Sequence, residues 1–356
     1  MINILLAAGL SLVFTLAGTP LLIRYLIAKK YGQFIREDGP DSHQVKRGTP
    51  TMGGLVIVAA VVFGYVVSHL VLWNPPTLSG VLLLALTVAM GGLGFLDDWS
   101  KIARERSLGL TARAKLIGQF LIGGLFGIAV LNFPSDRGAT PGSNAVSLLR
   151  DLTWLVLPTV VAVIFIAFLV SAWSNAANLT DGLDGLLSGT ATVIFVTYTL
   201  ITIWQFNQWC GRTSTAGPRC YFVRDPYDLA VVSIALAAAC FGFLWWNAKP
   251  AKIFMGDTGS MAIGAALAGL SVLTRTELLA VIIGALWVVE AGSVSLQVAY
   301  FKSTKGKRLF KMTPIHHHFE LKGWPEVNVV IRFWIICGLF VALGVGLFYA
   351  EWLVGQ

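Results

Sequence analysis

The chain has 356 residues, of which 56% are hydrophobic and only 12% are charged, and its formal net charge is +8. This charged fraction is about half that of an ordinary soluble protein, so the composition excludes a water-soluble enzyme and indicates an integral membrane protein. The positive charge does not indicate a nucleic-acid partner, because no basic run in the sequence is interleaved with aromatic residues.

Apolar segments of membrane-spanning length recur along the whole chain, and a helix needs about 20 such residues to cross the hydrocarbon core. The ten-residue alternating pattern of a membrane barrel does not occur in the sequence. The chain is therefore predicted to be an all-α polytopic membrane protein, with residues 1–356 forming one integral membrane domain. The ten predicted spans lie near residues 4–26, 52–72, 79–96, 115–133, 153–173, 187–206, 228–246, 258–273, 277–299 and 328–350.

The distribution of lysine and arginine predicts the orientation, since these residues accumulate in cytoplasmic loops. Eighteen of them lie in alternate loops, within residues 28–51, 97–115, 247–260 and 300–327, whereas six lie in the loops on the other side. We therefore expect both termini outside the cell and the basic loops in the cytoplasm.

Five aspartates lie at the predicted cytoplasmic ends of the spans. They are Asp97, Asp98, Asp181, Asp184 and Asp257. Carboxylates at a membrane surface indicate a metal-dependent active site, although a hydrated helix end is an alternative for the adjacent pair. Two adjacent carboxylates repel each other unless a cation or a raised pKa relieves them. Lys101, about one helical turn beyond Asp98, is placed to neutralise a phosphate bound at the same surface.

Two further loops combine acidic residues with glycine. In NAANLTDGLDGL, leucines at helical spacing place Asn178, Asp181 and Asp184 near one helix face, with a plain Asn/Asp/Gly turn as the alternative. In FMGDTGS, Asp257 precedes a span whose first backbone N–H groups suit a phosphate. An ordinary N-cap role for Asp257 is the competing interpretation.

The first and last basic loops carry further candidates. In KRGTPTMGG, Lys46 and Thr51 precede a helix start that suits an anion, and an ordinary topogenic loop is the alternative. Three consecutive histidines, His316, His317 and His318, cannot all face one tetrahedral zinc ion. We interpret them as hydrogen-bonding and charge contacts to phosphates, with an interfacial loop as the alternative.

Glu290 lies in the middle of a predicted span, where a carboxylate is costly unless it faces the interior of the bundle. We expect a bent helix whose freed backbone groups satisfy Glu290, with proton transport as the alternative. Cys210 and Cys220 share one outer loop, where an oxidising compartment would permit a disulfide.

The motifs RGTPTMGG, DDWSK, NAANLTDGLDGL, FMGDTGS and PIHHHFELKGWPE occur in this order across nearly the whole chain. Together they closely resemble the phospho-N-acetylmuramoyl-pentapeptide transferase family. The resemblance implies transfer of phospho-MurNAc-pentapeptide from its UDP nucleotide to undecaprenyl phosphate, giving lipid I and UMP for peptidoglycan synthesis. It also implies a Mg²⁺ cofactor, a homodimer and a multi-pass position in the bacterial plasma membrane, among membrane lipids, with the active site facing the cytoplasm.

The resemblance also assigns roles to residues. It implies that Asp257 holds Mg²⁺, that Lys101 and Lys115 screen the lipid phosphate, and that Asp98 assists or orients. Asp97 would deprotonate undecaprenyl phosphate for direct attack, and a covalent route through an aspartate is the competing mechanism. The implied substrate-binding residues, among which Phe254 would stack on uracil, are Lys46, Thr51, Asn178, Asp181, Asp184, Asn247, Phe254, Gly256, His316, His317 and His318.

Two alternative functions share part of this pattern. A UDP-N-acetylglucosamine:polyprenyl-phosphate transferase would use the same metal and lipid chemistry with a different sugar. A cation or proton transporter would explain Glu290 and the acidic residues, but its site is expected near the membrane midplane. The motif loops instead lie on one predicted face.

Overall fold

The computed structural model describes residues 1–29, 31–32, 48–104, 109–135, 138–211 and 219–354. Twelve helices and one short β-hairpin form this part of the chain. The elements are α1 (Ile2–Ala28), α2 (Gly54–Val71), α3 (Leu78–Ala103), α4 (Ala112–Asn132), β1 (Ala145–Ser147), β2 (Asp151–Val156), α5 (Thr159–Thr180), α6 (Leu186–Asn207), α7 (Pro226–Asn247), α8 (Gly256–Leu273), α9 (Glu277–Ile283), α10 (Ala285–Ser303), α11 (Ile315–Glu320) and α12 (Glu326–Leu353).

Among the described residues, nine helices are long and apolar enough to cross a membrane. The pair α9 and α10 passes the same test together, with a bend of 84° between its two parts. The prediction of an all-α polytopic membrane protein is therefore confirmed, and the predicted ninth span is a broken one.

The predicted span at 153–173 begins too early. Residues 151–156 form strand β2, which pairs antiparallel with β1 so that Ser147 faces Asp151, and α5 begins only at Thr159. The run Leu-Thr-Trp-Leu-Val is apolar enough to extend a hydropathy window, and a short apolar run does not distinguish strand from helix. The hairpin therefore had no separate signal in the sequence.

Helix α8 forms the centre of the bundle. Its most apolar 18-residue window is 89% buried, whereas the corresponding windows of α1 and α4 are each 28% buried. Its sequence alternates glycine, alanine and serine with larger residues, and such small side chains allow neighbouring helices in a membrane to approach closely. The start of α8 is thereby held inside the protein rather than at its edge.

Two glycines set the distance between α8 and its neighbours. A Cβ atom at Gly94 of α3 would overlap the carbonyl group of Asp257, and one at Gly54 of α2 would overlap the backbone of Gly259. These backbones can meet only because neither glycine carries a side chain. The contact brings the last turns of α3 against the first turn of α8.

The chain termini lie at the end of the bundle opposite the first turn of α8. The Met1 amine donates to the Tyr227 hydroxyl at the start of α7 (2.7 Å), and Arg150 Nε donates to Glu351 near the end of α12 (3.0 Å). In the loop at this end, Cys210 and Cys220 are joined by a disulfide, as the sequence suggested. Which end faces the cytoplasm stays a prediction.

Candidate active site

Five segments meet at the end of the bundle opposite the termini. They are the last turn of α3, the start of α4, the turn at residues 181–185 between α5 and α6, the loop at 248–255 that leads into α8, and the short helix α11. Hydrogen bonds and ion pairs join residues in or next to these segments across sequence separations of up to 160 residues. Their meeting is therefore a product of the tertiary fold.

Three carboxylates form the centre of this region. Asp97 and Asp98 are each 2% exposed, and Asp257 is partly buried beside them. One oxygen from each lies within 4.8 Å of the others. Such a cluster concentrates negative charge where little water can screen it, so it requires compensating cations.

Two lysines supply part of that compensation. The Lys101 ammonium lies 2.7 Å from Asp97 Oδ2, 3.4 Å from Asp98 Oδ1 and 3.1 Å from Asp257 Oδ2. Lys115 Nζ donates to Asp257 Oδ2 at 2.5 Å. Two ammonium groups against three carboxylates leave a net negative charge when all three acids are ionised, which favours a further cation.

Asp98 is engaged by the first turn of α8. Its Oδ2 accepts hydrogen bonds from the backbone N–H (2.9 Å) and the hydroxyl (2.8 Å) of Thr258, and its Oδ1 accepts from the N–H of Asp257 (3.1 Å). Asp98 therefore caps α8 from a different helix. The competing interpretation of Asp257 as the N-cap of its own helix is therefore wrong, and the N–H groups of Asp257 and Thr258 are not free for a phosphate.

Asn178, in the last turn of α5, orients Asp257. Its Nδ2 donates to Asp257 Oδ1 at 2.6 Å and to the Ser260 hydroxyl oxygen at 2.9 Å. The Ser260 hydroxyl in turn donates to the carbonyl of Gly256. Both oxygens of the Asp257 carboxylate are thus held, one by an amide and the other by lysines.

The turn after α5 departs from the predicted geometry. Helix α5 ends at Thr180 and α6 starts at Leu186, so Asn178, Asp181 and Asp184 do not share one helix face as the leucine spacing suggested. Gly185 has φ +82, a left-handed conformation at the end of this turn, directly before α6. A turn therefore separates Asp184 from the end of α5.

Asp181 lies in this turn close to the acidic cluster. Desolvation, followed by the negative charges of Asp257 and Asp98, raises its pKa well above the ordinary range, while a hydrogen bond from the backbone of Gly256 opposes this shift. Gly256 itself has φ +75, which favours glycine, and a Cβ there would crowd Asp98 Oδ2. Gly256 therefore serves the close packing of α8 against these carboxylates.

The loop before α2 pairs with the loop before α8. The N–H of Phe254 donates to the Pro50 carbonyl (2.8 Å), while the N–H groups of Gly53 and Gly54 donate to the Phe254 (2.9 Å) and Met255 (2.8 Å) carbonyls. The helix start expected to receive an anion is therefore occupied by protein carbonyls. Thr51 is buried in this pairing. Lys46 lies outside the described residues.

Two predicted nucleoside contacts bind the protein itself. Asn247 Oδ1 accepts from the N–H of Gly185 (3.2 Å) and from the Ser188 hydroxyl (2.9 Å), while its Nδ2 donates to the Ile253 carbonyl. Asp184 Oδ2 accepts from the N–H of Ala251 (3.1 Å). These side chains fix the loop at 248–255, on which Phe254 lies.

The three histidines of α11 have different partners. His316 is fully buried and its Nδ1 lies 3.0 Å from Glu290 Oε2, His317 Nδ1 lies 2.7 Å from Glu320 Oε2, and His318 Nδ1 accepts from the N–H of Lys311. The three imidazoles are therefore held by three different parts of the chain. Glu290 is paired with a histidine, so the expectation of freed backbone partners was wrong.

Comparison with known proteins identifies the family of this chain. The model for glycosyl transferase family 4 matches residues 80–275, and signature 1 of phospho-N-acetylmuramoyl-pentapeptide-transferase matches residues 46–58. The proteins named phospho-N-acetylmuramoyl-pentapeptide-transferase from Cutibacterium acnes and Arthrobacter sp. are 60% and 57% identical over 99% of this chain, covering 99% and 100% of their own lengths. That of Beutenbergia cavernae is 56% identical over the full length of both chains.

This chain belongs to the phospho-N-acetylmuramoyl-pentapeptide transferase family. The resemblance drawn from the five motifs is thus confirmed, and the motifs meet at one end of the bundle. The same comparison gives no support to a transporter, whose main motive was Glu290.

The acidic cluster of this family member fits Mg²⁺ by its donor chemistry. Hard oxygen ligands are those Mg²⁺ prefers, and it is usually bound through one or two carboxylates. Asp98 already accepts three hydrogen bonds from α8. Asp257, which lies beside Lys101 and Lys115, is therefore the better candidate ligand.

Sequence reasoning missed two supporting residues, Glu326 and Lys249. Glu326, at the start of α12, accepts from the N–H of Asp184 (3.0 Å) and from Lys249 Nζ (2.7 Å). Glu326 ends the motif KGWPE, and Lys249 lies in the loop that leads into α8. An acidic residue at the predicted cytoplasmic end of a span was the available signal.

Proposed function

We propose that this protein transfers phospho-MurNAc-pentapeptide from UDP-MurNAc-pentapeptide to undecaprenyl phosphate, giving lipid I and UMP. The observation that carries the proposal is the cluster of three carboxylates and two lysines, placed at a span end in a member of this family. Phosphoryl transfer between two anions requires alignment and charge neutralisation more than covalent chemistry. The two lysines supply positive charge for neutralisation, and the three carboxylates supply fixed groups for alignment.

Asp257 is the residue that would hold Mg²⁺. When bound, the ion would supply positive charge and Lewis acidity toward the diphosphate. Asn178 keeps Asp257 in place through a 2.6 Å hydrogen bond, and Asp98 fixes the helix turn that carries it. The protein thus prepares the site before substrate arrives.

Asp97 is the proposed general base for the lipid phosphate. Its Oδ1 accepts from the N–H of Leu110 (2.9 Å), so the carboxylate is held in one orientation, and its Oδ2 lies beside Lys101. The hydrogen-bonded arrangement suits proton removal at a fixed position. A direct attack by the lipid phosphate on the β-phosphorus of UDP-MurNAc-pentapeptide then expels UMP, with Lys101 and Lys115 neutralising the anions.

The nucleotide pocket follows from the neighbouring loops. Phe254 is half-buried on the loop that Asn247 and Asp184 fix, and it is the candidate to stack on uracil. Thr51 and His316 lie on the segments that adjoin this loop and the turn at 181–185. Each would contact the ribose or the phosphates.

The decisive experiment measures UMP release from UDP-MurNAc-pentapeptide by the purified protein, with and without undecaprenyl phosphate and Mg²⁺. We expect release only when all three are present. UDP-N-acetylglucosamine serves as the matched alternative donor, and faster release from it would assign the protein to the N-acetylglucosamine transferases. UMP release without the lipid would instead support a covalent aspartate intermediate or simple hydrolysis.

We infer that the active site faces the cytoplasm of a bacterial plasma membrane and that the protein forms a homodimer. The basic residues at 97–115 and 300–327 support this orientation. Single cysteines introduced there should escape an impermeant thiol reagent in intact cells and react after permeabilisation. Labelling in intact cells would reverse the topology, and a monomer mass in mild detergent would contradict the dimer.

A further inference from the structure

A buried pair of polar side chains joins the histidine helix α11 to the broken span of α9 and α10. Glu290 Oε2 on α10 lies 3.0 Å from His316 Nδ1 on α11, and both side chains are completely buried. A carboxylate at this depth is costly without a partner, and removing one member of such a pair leaves the other unsatisfied. The pair therefore fixes the ring of His316 firmly relative to α10.

The second nitrogen of the same ring has no hydrogen-bond partner among the described residues. Within the described residues, His316 Nε2 is buried without any hydrogen bond. It lies against Gly182 in the turn between α5 and α6, where an added Cβ would overlap this nitrogen. Buried ring nitrogens are normally satisfied, so this atom is available to a ligand of the same region.

We propose that Glu290 is a positioning residue that holds His316 with Nε2 directed at the bound uridine nucleotide. The carboxylate accepts a hydrogen bond from Nδ1–H, which fixes the orientation of the ring and leaves Nε2 for the ligand. The ligand would be a phosphate oxygen of the nucleotide, which accepts a hydrogen bond from Nε2–H when the ring is protonated on both nitrogens. This inference rests on the proposed function, because it requires a nucleotide beside the turn at 181–185.

The chain contains a matched control for this arrangement. At the other end of the bundle, His69 Nε2 lies 2.9 Å from Asp228 Oδ1, and both side chains are 4% exposed. Both pairs join a buried histidine to a buried carboxylate, although Asp228 also accepts from Tyr65 and Thr77, and only the Glu290 pair adjoins the active-site turn. Loss of Asp228 should therefore affect stability alone.

The test measures the Kd of UMP by calorimetry, in Mg²⁺ buffer, for Glu290→Ala, Glu290→Gln, His316→Ala and the double variant Glu290→Ala/His316→Ala. Glu290→Ala should raise the Kd about 10- to 100-fold, the size of one hydrogen bond to a charged group. Glu290→Gln retains an acceptor and should recover part of the affinity. In the His316→Ala background, Glu290→Ala should change the Kd less than about twofold, because coupled residues are not additive.

Equal fold-changes in the two backgrounds would overturn the proposal, and so would an unchanged Kd in Glu290→Ala. Asp228→Asn should lower the melting temperature without changing the Kd, and a loss of UMP affinity there would indicate a general effect of buried pairs. If Glu290→Ala does not fold, Glu290→Gln in the same two backgrounds provides the comparison. Failure of wild-type protein to release UMP from UDP-MurNAc-pentapeptide would refute the proposed function separately, since the binding cycle does not depend on turnover.

Discussion

Thr258→Val tests whether the contact between α3 and α8 positions Asp257, the carboxylate proposed to bind the metal. Thr258 is 1% exposed, and its hydroxyl donates to Asp98 Oδ2 at 2.8 Å. Valine has nearly the same shape, so the substitution removes this hydrogen bond without opening a cavity. The backbone N–H groups of Asp257 and Thr258 still donate to Asp98.

The magnitude follows from the type of bond that is lost. A hydrogen bond to a charged group contributes about 1.5–3 kcal/mol, and the two surviving donors place Thr258→Val at about 1.5 kcal/mol of lost stability. The effect on turnover should be larger than this loss of stability suggests, because a displacement of about 1 Å at a reacting centre can lower the rate about 100-fold. We therefore expect kcat to fall about 10- to 100-fold, since Asp257 directly precedes the altered residue.

The assay is UMP release under saturating substrates, repeated over a Mg²⁺ titration, with melting temperature measured in parallel. Thr258→Ser keeps the hydroxyl and should retain most of the activity. Thr87→Val is the matched control, because Thr87 is also 1% exposed but donates only to the Leu83 carbonyl within α3. Wild-type kcat and Mg²⁺ dependence in a folded Thr258→Val protein would refute the reasoning, and so would an equal loss in Thr87→Val.

Three further results are expected. Asp257→Asn should abolish both activity and its Mg²⁺ dependence, whereas Asp97→Asn should lower kcat about 10² to 10⁴-fold with nucleotide Kd unchanged; near-normal turnover in Asp97→Asn would eliminate the general-base assignment. Because the pKa of Asp181 is raised in the folded protein, its ionisation opposes folding above the ordinary carboxyl pKa of about 4, so Asp181→Asn should raise the melting temperature at pH 7 but not at pH 4 in Mg²⁺-free buffer. Alkylation of unfolded protein should modify two cysteines without reductant and four with it, because Cys210 and Cys220 are bridged and two further cysteines are free; four without reductant would contradict the bridge.

Hydropathy predicted the membrane spans well because it depends on average composition over about 20 residues. It failed where a local interruption changes the structure without changing that average. The strand at 151–156 and the bend between α9 and α10 are two such places. In both, the chain stays apolar while its direction changes.

The motifs identified the residues of the site, but they did not identify the partners of those residues. Asn247 and Asp184 carry groups that could read a nucleoside, yet in the fold they bind the protein. Their partners lie 62, 59 and 67 residues away in sequence. No local pattern contains such information, because it depends on how α6 and α7 pack together.

The adjacent aspartates show how much a local physical argument can still predict. Their mutual repulsion indicated a neighbouring cation, and Lys101 contacts both, at spacings of three and four residues along α3. The same argument treated Asp97 and Asp98 as one acidic unit. The fold separates them, because Asp98 turns to the backbone of α8 while Asp97 binds the N–H of Leu110 and faces the lysines. One carboxylate is thus committed to holding the site together, and the other is left beside the cations where a proton can be transferred. The two acids of this one helix therefore differ because the N-terminus of α8 meets Asp98 and not Asp97.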